Sequence, residues 1–158
     1  MKILLLSHAA NRSGAPAVLL ELARFLRENS SHDVQWATLR GGELEREFDA
    51  QWPRFAGEKL LRRRANLAAI GRRLGDFSAP KMGTARALAR RGASFEARFG
   101  GDLARKLTGF DLVYANCAIS GEAFLQLRQW PRNTQLVAHV HEMNWALSQA
   151  GDGWKWLR

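Results

Sequence analysis

The chain has 158 residues, 46% of them hydrophobic, which is enough for one well-packed core and short for two. Lys and Arg number 24 against 15 Asp and Glu, a formal net charge of +9, and Cys117 is the single cysteine, so an internal disulfide is excluded and a reducing compartment fits. The opening apolar run is too short for the core of a signal peptide and no stretch approaches a membrane-spanning length, so a cytoplasmic protein is expected, with peripheral membrane contact left open.

The elements follow in chain order. "KILLLS" (2 to 7) is a continuous apolar run bounded by turn formers, the pattern of a strand covered on both faces of a parallel sheet. The helix after it carries Pro16 in its first turn and an apolar stripe of Val18, Leu19, Leu22, Phe25 and Leu26, and "NSSHD" (29 to 33) ends it. "VQWATL" (34 to 39) is a second strand, "RGG" (40 to 42) a glycine turn and "ELEREF" (43 to 48) a short helix. This βαβα start implies a doubly wound parallel sheet in a single domain over 1–158.

From 54 to 109 the pattern becomes mainly helical and basic. Between Arg54 and Lys106 stand 14 basic and four acidic residues, so most of the net charge is concentrated there. "RFAG" (54 to 57) fits a short edge strand. A helix is expected over 60–74, with Leu60, Leu67, Ile70 and Leu74 on one face and Arg62, Arg72 and Arg73 opposite, and another over 84–107. "SAPKMG" (78 to 83) connects them. "DLVYA" (111 to 115) then reads as strand, "ISGEAFLQLRQW" (119 to 130) as helix stopped by Pro131, and "TQLVAHV" (134 to 140) as strand.

Ligands of a doubly wound sheet bind beyond the carboxyl ends of its strands. Here those ends hold Ser7, His8, Asn11, Ser13 and Gly14, then Gly41 and Gly42, then Asn116 and Ser120, then His141 and Glu142. The N-terminus of the first helix faces the same crevice and favours an anion such as phosphate or a carboxylate. The loop has neither G-x-G-x-x-G nor a P-loop pattern, and an ordinary βα turn is the alternative. His139 and His141 point the same way from their strand and Glu142 the other. No third metal ligand accompanies them, so no metal is assigned. His139 is read as a core-facing histidine bonded to a backbone carbonyl, and His141, at the strand end, as base or hydrogen-bond partner for a substrate hydroxyl. Ser120 either orients a ligand or caps its helix. Cys117 has no base near it in sequence and is assigned to packing.

"LRRRANLAAIGRRL" (61 to 74) is cationic and amphipathic, so Arg62, Arg63, Arg64, Arg72 and Arg73 are either a solvated helix face or a contact for an anionic membrane. Nucleic acid is disfavoured, because no stacking aromatics interleave with the arginines.

"ILLLSHAANRSGAPAVLLELARFL", "LRGGELEREF", "DLVYANCAISGE" and "VAHVHE", in this order, resemble the N-terminal domain of family 4 glycosyltransferases of the GT-B fold. The resemblance implies a Rossmann-like domain that receives the acceptor. A C-terminal domain, absent from this chain, would hold most of the nucleotide-sugar donor. It implies transfer of a sugar to a polysaccharide or lipid-linked acceptor with retention of configuration and without a required metal or cofactor. The loop Ser7 to Gly14 would lie near the donor phosphates and the acceptor, His141 would contact the transferring sugar, and the basic helices would dock on an anionic membrane. Two glutamates eight positions apart hold the donor in that family, and no two glutamates here have that spacing. A fragment inactive by itself is therefore expected. The alternative is a non-catalytic binding module that docks on an anionic membrane or an acidic partner through its basic helices.

Overall fold

A computed structural model describes residues 1–75, 94, 96–117, 120, 124 and 130–140. Four strands, β1 (Lys2–Ser7), β2 (Asp33–Thr38), β3 (Leu112–Ala115) and β4 (Gln135–Ala138), form one all-parallel sheet in the order β2-β1-β3-β4. Among the described residues, the helical segments that accompany them include α1 (Gly14–Asn29), α2 (Glu45–Asp49), α3 (Glu58–Gly75), and a π-helical turn Glu96–Gly100 that runs into α4 (Gly101–Leu107). The chain is thus an α/β protein built on a small parallel sheet. Among the described residues no helix is long and apolar enough to cross a membrane.

β1 explains the architecture. It pairs with β2 on one side (Ile3 with Val34, Leu6 with Ala37) and with β3 on the other (Ile3 with Leu112, Leu6 with Ala115). Because successive side chains of a strand point to opposite faces, Ile3 and Leu5 enter one core and Leu4 and Leu6 the other, all four at most 4% exposed. The first core joins Ile3 and Leu5 to Leu19, Leu20 and Ala23 of α1 and to Trp36, Phe48 and Trp52. Trp36 and Phe48 stack with ring centroids 4.5 Å apart. The second joins Leu4 and Leu6 to Leu61 of α3 and to Leu103 and Leu107 of α4, with Phe55 set edge-on to Phe110 at 5.5 Å.

The helices differ from expectation in detail. α1 buries Pro16, Leu19, Leu20 and Ala23, whereas Val18 and Phe25 of the predicted stripe are 47% and 60% exposed. Positions 16, 19, 20 and 23 share a helix face by the i, i+3, i+4, i+7 rule, and it is this face that meets Ile3 and Leu5. The end of α1 is closed by side chains, with Asn29 Nδ2 donating to Phe25 O at 2.9 Å and Ser30 Oγ to Leu26 O. The stretch 54–57 supplies only a bridge between Arg54 and Trp36. The 78–83 connection, most of the 84–95 part of the second basic helix and most of the 119–130 helix lie outside the described residues.

The bridge at Arg54 belongs to a larger device at the free edge of β2. An edge strand exposes backbone groups that invite pairing with another chain. Here Trp36 N–H donates to Pro53 O at 3.2 Å and Trp36 O accepts from Phe55 N–H at 2.8 Å. Two positions on, Thr38 N–H donates to Glu58 Oε2 at 3.2 Å and Thr38 O accepts from Arg62 Nε at 2.9 Å. The same side chains form one charge network. Arg54 reaches Asp49 and Glu45 at 2.6 Å and Glu58 at 3.1 Å, with its guanidinium 4.6 Å from the centre of the Trp36 ring. Arg62 reaches Glu58 at 2.9 Å and Glu45 at 3.2 Å.

Partial burial pushes the Glu45 carboxyl up, but the hydrogen bond and charge of Arg54, with the charge of Arg62, outweigh it and hold Glu45 below the usual glutamate range. The Asp49 hydrogen bond likewise raises Arg54 further into its charged form. A carboxyl that binds its proton less tightly when folded stabilises the fold above its unfolded pKa, and this contribution is lost as pH falls through the folded value. Unfolding free energy is therefore expected to decline as pH drops from about 5 toward 3. Glu45→Gln should cost about 1–2 kcal/mol at pH 7 and flatten that decline. Urea unfolding of both proteins across this range measures it, and equal acid slopes would detach Glu45 from the effect.

Candidate functional site

The order β2-β1-β3-β4 reverses the direction of travel between β1 and β3, and in parallel α/β sheets the crevice opens beyond the carboxyl ends of the strands at such a point. The loop leaving β1 and the turn leaving β3 both lie there. Asn116 N–H donates to Leu6 O at 2.9 Å, extending the β1–β3 ladder by one step, and Leu39 N–H donates to Ser7 O at 3.0 Å on the other side.

The predicted residues separate into a buried frame and an exposed rim. Ser7, Asn116 and Ser120 are fully buried. Ser7 Oγ donates to Ala9 O at 2.6 Å and shapes the turn after β1. Asn116 Nδ2 donates to Ala15 O, fastening the first turn of α1 to the end of β3 across 101 residues. Ser120 contacts the sulfur of Cys117. His8 is half-buried, while Asn11, Ser13, Gly14, Gly41 and Gly42 are exposed. Ser13 is the residue before α1, yet its side chain does not cap the helix and Ser13 Oγ donates instead to Asn11 Oδ1 at 2.8 Å. The N-terminus of α1 thus faces the rim without a side-chain cap. That arrangement suits an anionic group.

The glycine turn is part of the rim for a steric reason. A Cβ on Gly42 would lie 2.2 Å from the carbonyl carbon and oxygen of Ala10 and 2.5 Å from Asn11 N, because Leu44 N–H donates to Ala10 O at 2.7 Å and draws the two loops together. Arg12 on the first loop also pairs with Glu47 of α2, which Arg24 of α1 reaches at 3.2 Å. The rim is therefore a braced surface.

His141 and Glu142 lie outside the described residues, so the proposed sugar contact has no geometry here. His139 differs from expectation. It is exposed rather than core-facing, and its Nδ1 pairs with the Tyr114 hydroxyl. The cause is register: Tyr114 stands opposite Val137, so the residue two past it, His139, falls on the side of the tyrosine ring. Burial raises the Tyr114 phenol above its ordinary range, which keeps it a neutral partner.

The arginines also sort by position. Arg62 is held by Glu45, Glu58 and Thr38, Arg64 is buried at 7% exposure, and Arg63 faces solvent. Arg72 and Arg73 lie on α3, with side chains outside the described residues. Sequence reasoning missed the contact between His8 and Cys117, whose Nδ1 and Sγ are 3.3 Å apart. No signal in the sequence marks it, since it depends on β1 pairing with β3. Among the described residues no group of three or more His, Cys, Asp or Glu could hold a metal ion.

If the rim depends on close approach of the two loops, substitution at its glycines should be unequal. Gly42→Ala is expected to cost about 1–3 kcal/mol, since backbone must move. Gly14→Ala, with no atom within 4 Å of the added carbon, should stay within about 0.5 kcal/mol of the parent or slightly above it. Denaturant midpoints of the two variants make the comparison, and equal losses would refute the bracing. Comparison with known protein families, with curated proteins and with solved structures found no match to this chain.

Proposed function

We propose that the chain is the acceptor-side, Rossmann-like domain of a retaining glycosyltransferase of the GT-B type, which moves a sugar from a nucleotide-sugar to a glycan or lipid-linked acceptor. The observation that carries this reading is the pairing of a switch in strand order between β1 and β3 with an uncapped helix N-terminus and a small-residue rim at the same place. That combination suits a ligand rich in hydroxyls and phosphate: N–H groups for the anion, Asn11, Ser13 and His8 for hydroxyls, and glycines that let the ligand approach backbone. The quoted sequence resemblance supplies the class of reaction, and His141 takes the role of contact to the transferring sugar.

A module that only docks on an anionic surface has less in its favour. Arg62 and Arg64, two of the five arginines on which it rests, are engaged or buried within the fold. Phe55, Leu61, Leu103 and Leu107, described residues of the basic segment, cover one face of the sheet.

The full-length polypeptide that carries this chain is expected to transfer a radiolabelled sugar from a nucleotide-sugar donor to a glycan or lipid-linked acceptor, with the anomeric configuration kept. In it, His141→Ala should lower turnover by about 100-fold or more. Turnover within threefold of the parent would remove His141 from the mechanism, and absence of transfer with every nucleotide-sugar tried would count against the whole reading.

A further inference from the structure

His8 and Cys117 are 109 residues apart in the chain, and the pairing of Leu6 with Ala115 sets them at the same end of neighbouring strands. Cys117 Sγ lies 3.3 Å from His8 Nδ1 and 3.1 Å from Ser120 Oγ, and accepts a hydrogen bond from Ser120 N–H at 3.3 Å. A thiol buried among aliphatic side chains keeps its proton and is inert. One flanked by an imidazole and a peptide N–H has both a proton acceptor and donors for the resulting anion. Here two titratable groups and a hydroxyl meet beside the rim, and the sugar-transfer reading makes no use of the sulfur.

We propose that Cys117 is a site of covalent modification by hydroperoxides, with His8 as the group that takes the thiol proton. Size selects the reagent: Cys117 is 2% exposed, which favours a small uncharged electrophile such as hydrogen peroxide. The thiol proton passes to the imidazole. The thiolate electron pair then forms a bond to one peroxide oxygen as the O–O bond breaks, leaving a sulfenic acid and hydroxide. The imidazolium returns the proton to hydroxide, so the products are sulfenic acid and water. These 158 residues hold no second cysteine to condense with the product, and a low-molecular-weight thiol can return it to the thiol: it forms a mixed disulfide and water, and a second such thiol releases Cys117.

The test uses the whole chain, with Cys117→Ser as blank. Iodoacetamide labelling is followed by mass from pH 5.5 to 9.5, and sulfenic acid formed by hydrogen peroxide at pH 7 is trapped with dimedone. The half-maximal alkylation rate is expected at least one pH unit below the ~8.5 of a free thiol. His8→Ala should return it to that value or above and slow sulfenic acid formation at least tenfold. His8→Asn, which retains a polar side chain, should behave like His8→Ala and decides the matter if the alanine variant does not fold. A wild-type midpoint at or above the free-thiol value, a peroxide rate unchanged by loss of the imidazole, or a native thiol that neither reagent labels would each overturn the proposal. None of these outcomes depends on sugar transfer.

Discussion

β1 uses its backbone on both sides and its side chains on both faces. Its ladder to β2 and to β3 satisfies the peptide groups of Lys2 to Ser7 in the middle of the sheet, and alternation sends Ile3 and Leu5 to one core and Leu4 and Leu6 to the other. A shift of one residue in either ladder would exchange the two sets and misalign Leu6, Ala37 and Ala115 together. Asp111 reinforces the register at its start: it accepts from Lys2 N–H at 2.7 Å through its side chain and donates to Lys2 O at 2.9 Å through its backbone. Everything at the other end of the sheet, including the rim, inherits its position from this pairing.

The edge at β2 shows how charge serves backbone chemistry in this fold. Edge strands in soluble proteins need some means of refusing a partner. Arg62 and Glu58 do so by occupying the Thr38 peptide groups, and Arg54 adds a cation over the Trp36 ring while drawing Asp49, Glu45 and Glu58 together. The indole Nε1 atoms of Trp36 and Trp52 are buried without a hydrogen-bond partner, a cost of about 1–3 kcal/mol each that the aromatic packing against Phe48 offsets in part. A run of arginines that looks like a solvated helix face is thus in part an internal fastening.

Local patterns made the strands legible. "KILLLS" occurs as β1 residue for residue, β3 and β4 fall within the runs that predicted them, and β2 is displaced by one residue, from the expected 34–39 to Asp33–Thr38. Loop residues near the strand ends were legible as a group for the same reason, since strand ends define the crevice. What stayed hidden depends on contacts between distant segments. Arg62 appears solvent-facing on a helical wheel because the wheel does not contain Glu45 or Thr38. His139 appears core-facing because its partner Tyr114 belongs to another strand. Cys117 appears isolated because His8 is at the far end of the chain and only the β1–β3 ladder joins them. Periodicity reports which face of an element is apolar, and it carries no information about what that face meets.

The two cores draw on different spans of chain. The one beneath α1 takes its buried residues from Ile3 to Trp52, whereas the opposite one must gather Leu4 and Leu6 with Leu61, Leu103, Leu107 and Val113. Loop closure over fifty residues is cheaper in entropy than closure over a hundred, and near-neighbour contacts form faster. A chain emerging from the ribosome therefore holds every buried residue of the first core long before β3 exists. For that interval Leu4 and Leu6 have only Ala37, Leu39, Phe55 and Leu61 of their own core within reach and still lack Leu103, Leu107 and Val113, so the strand that organises the finished sheet stays partly uncovered and open to premature association during synthesis.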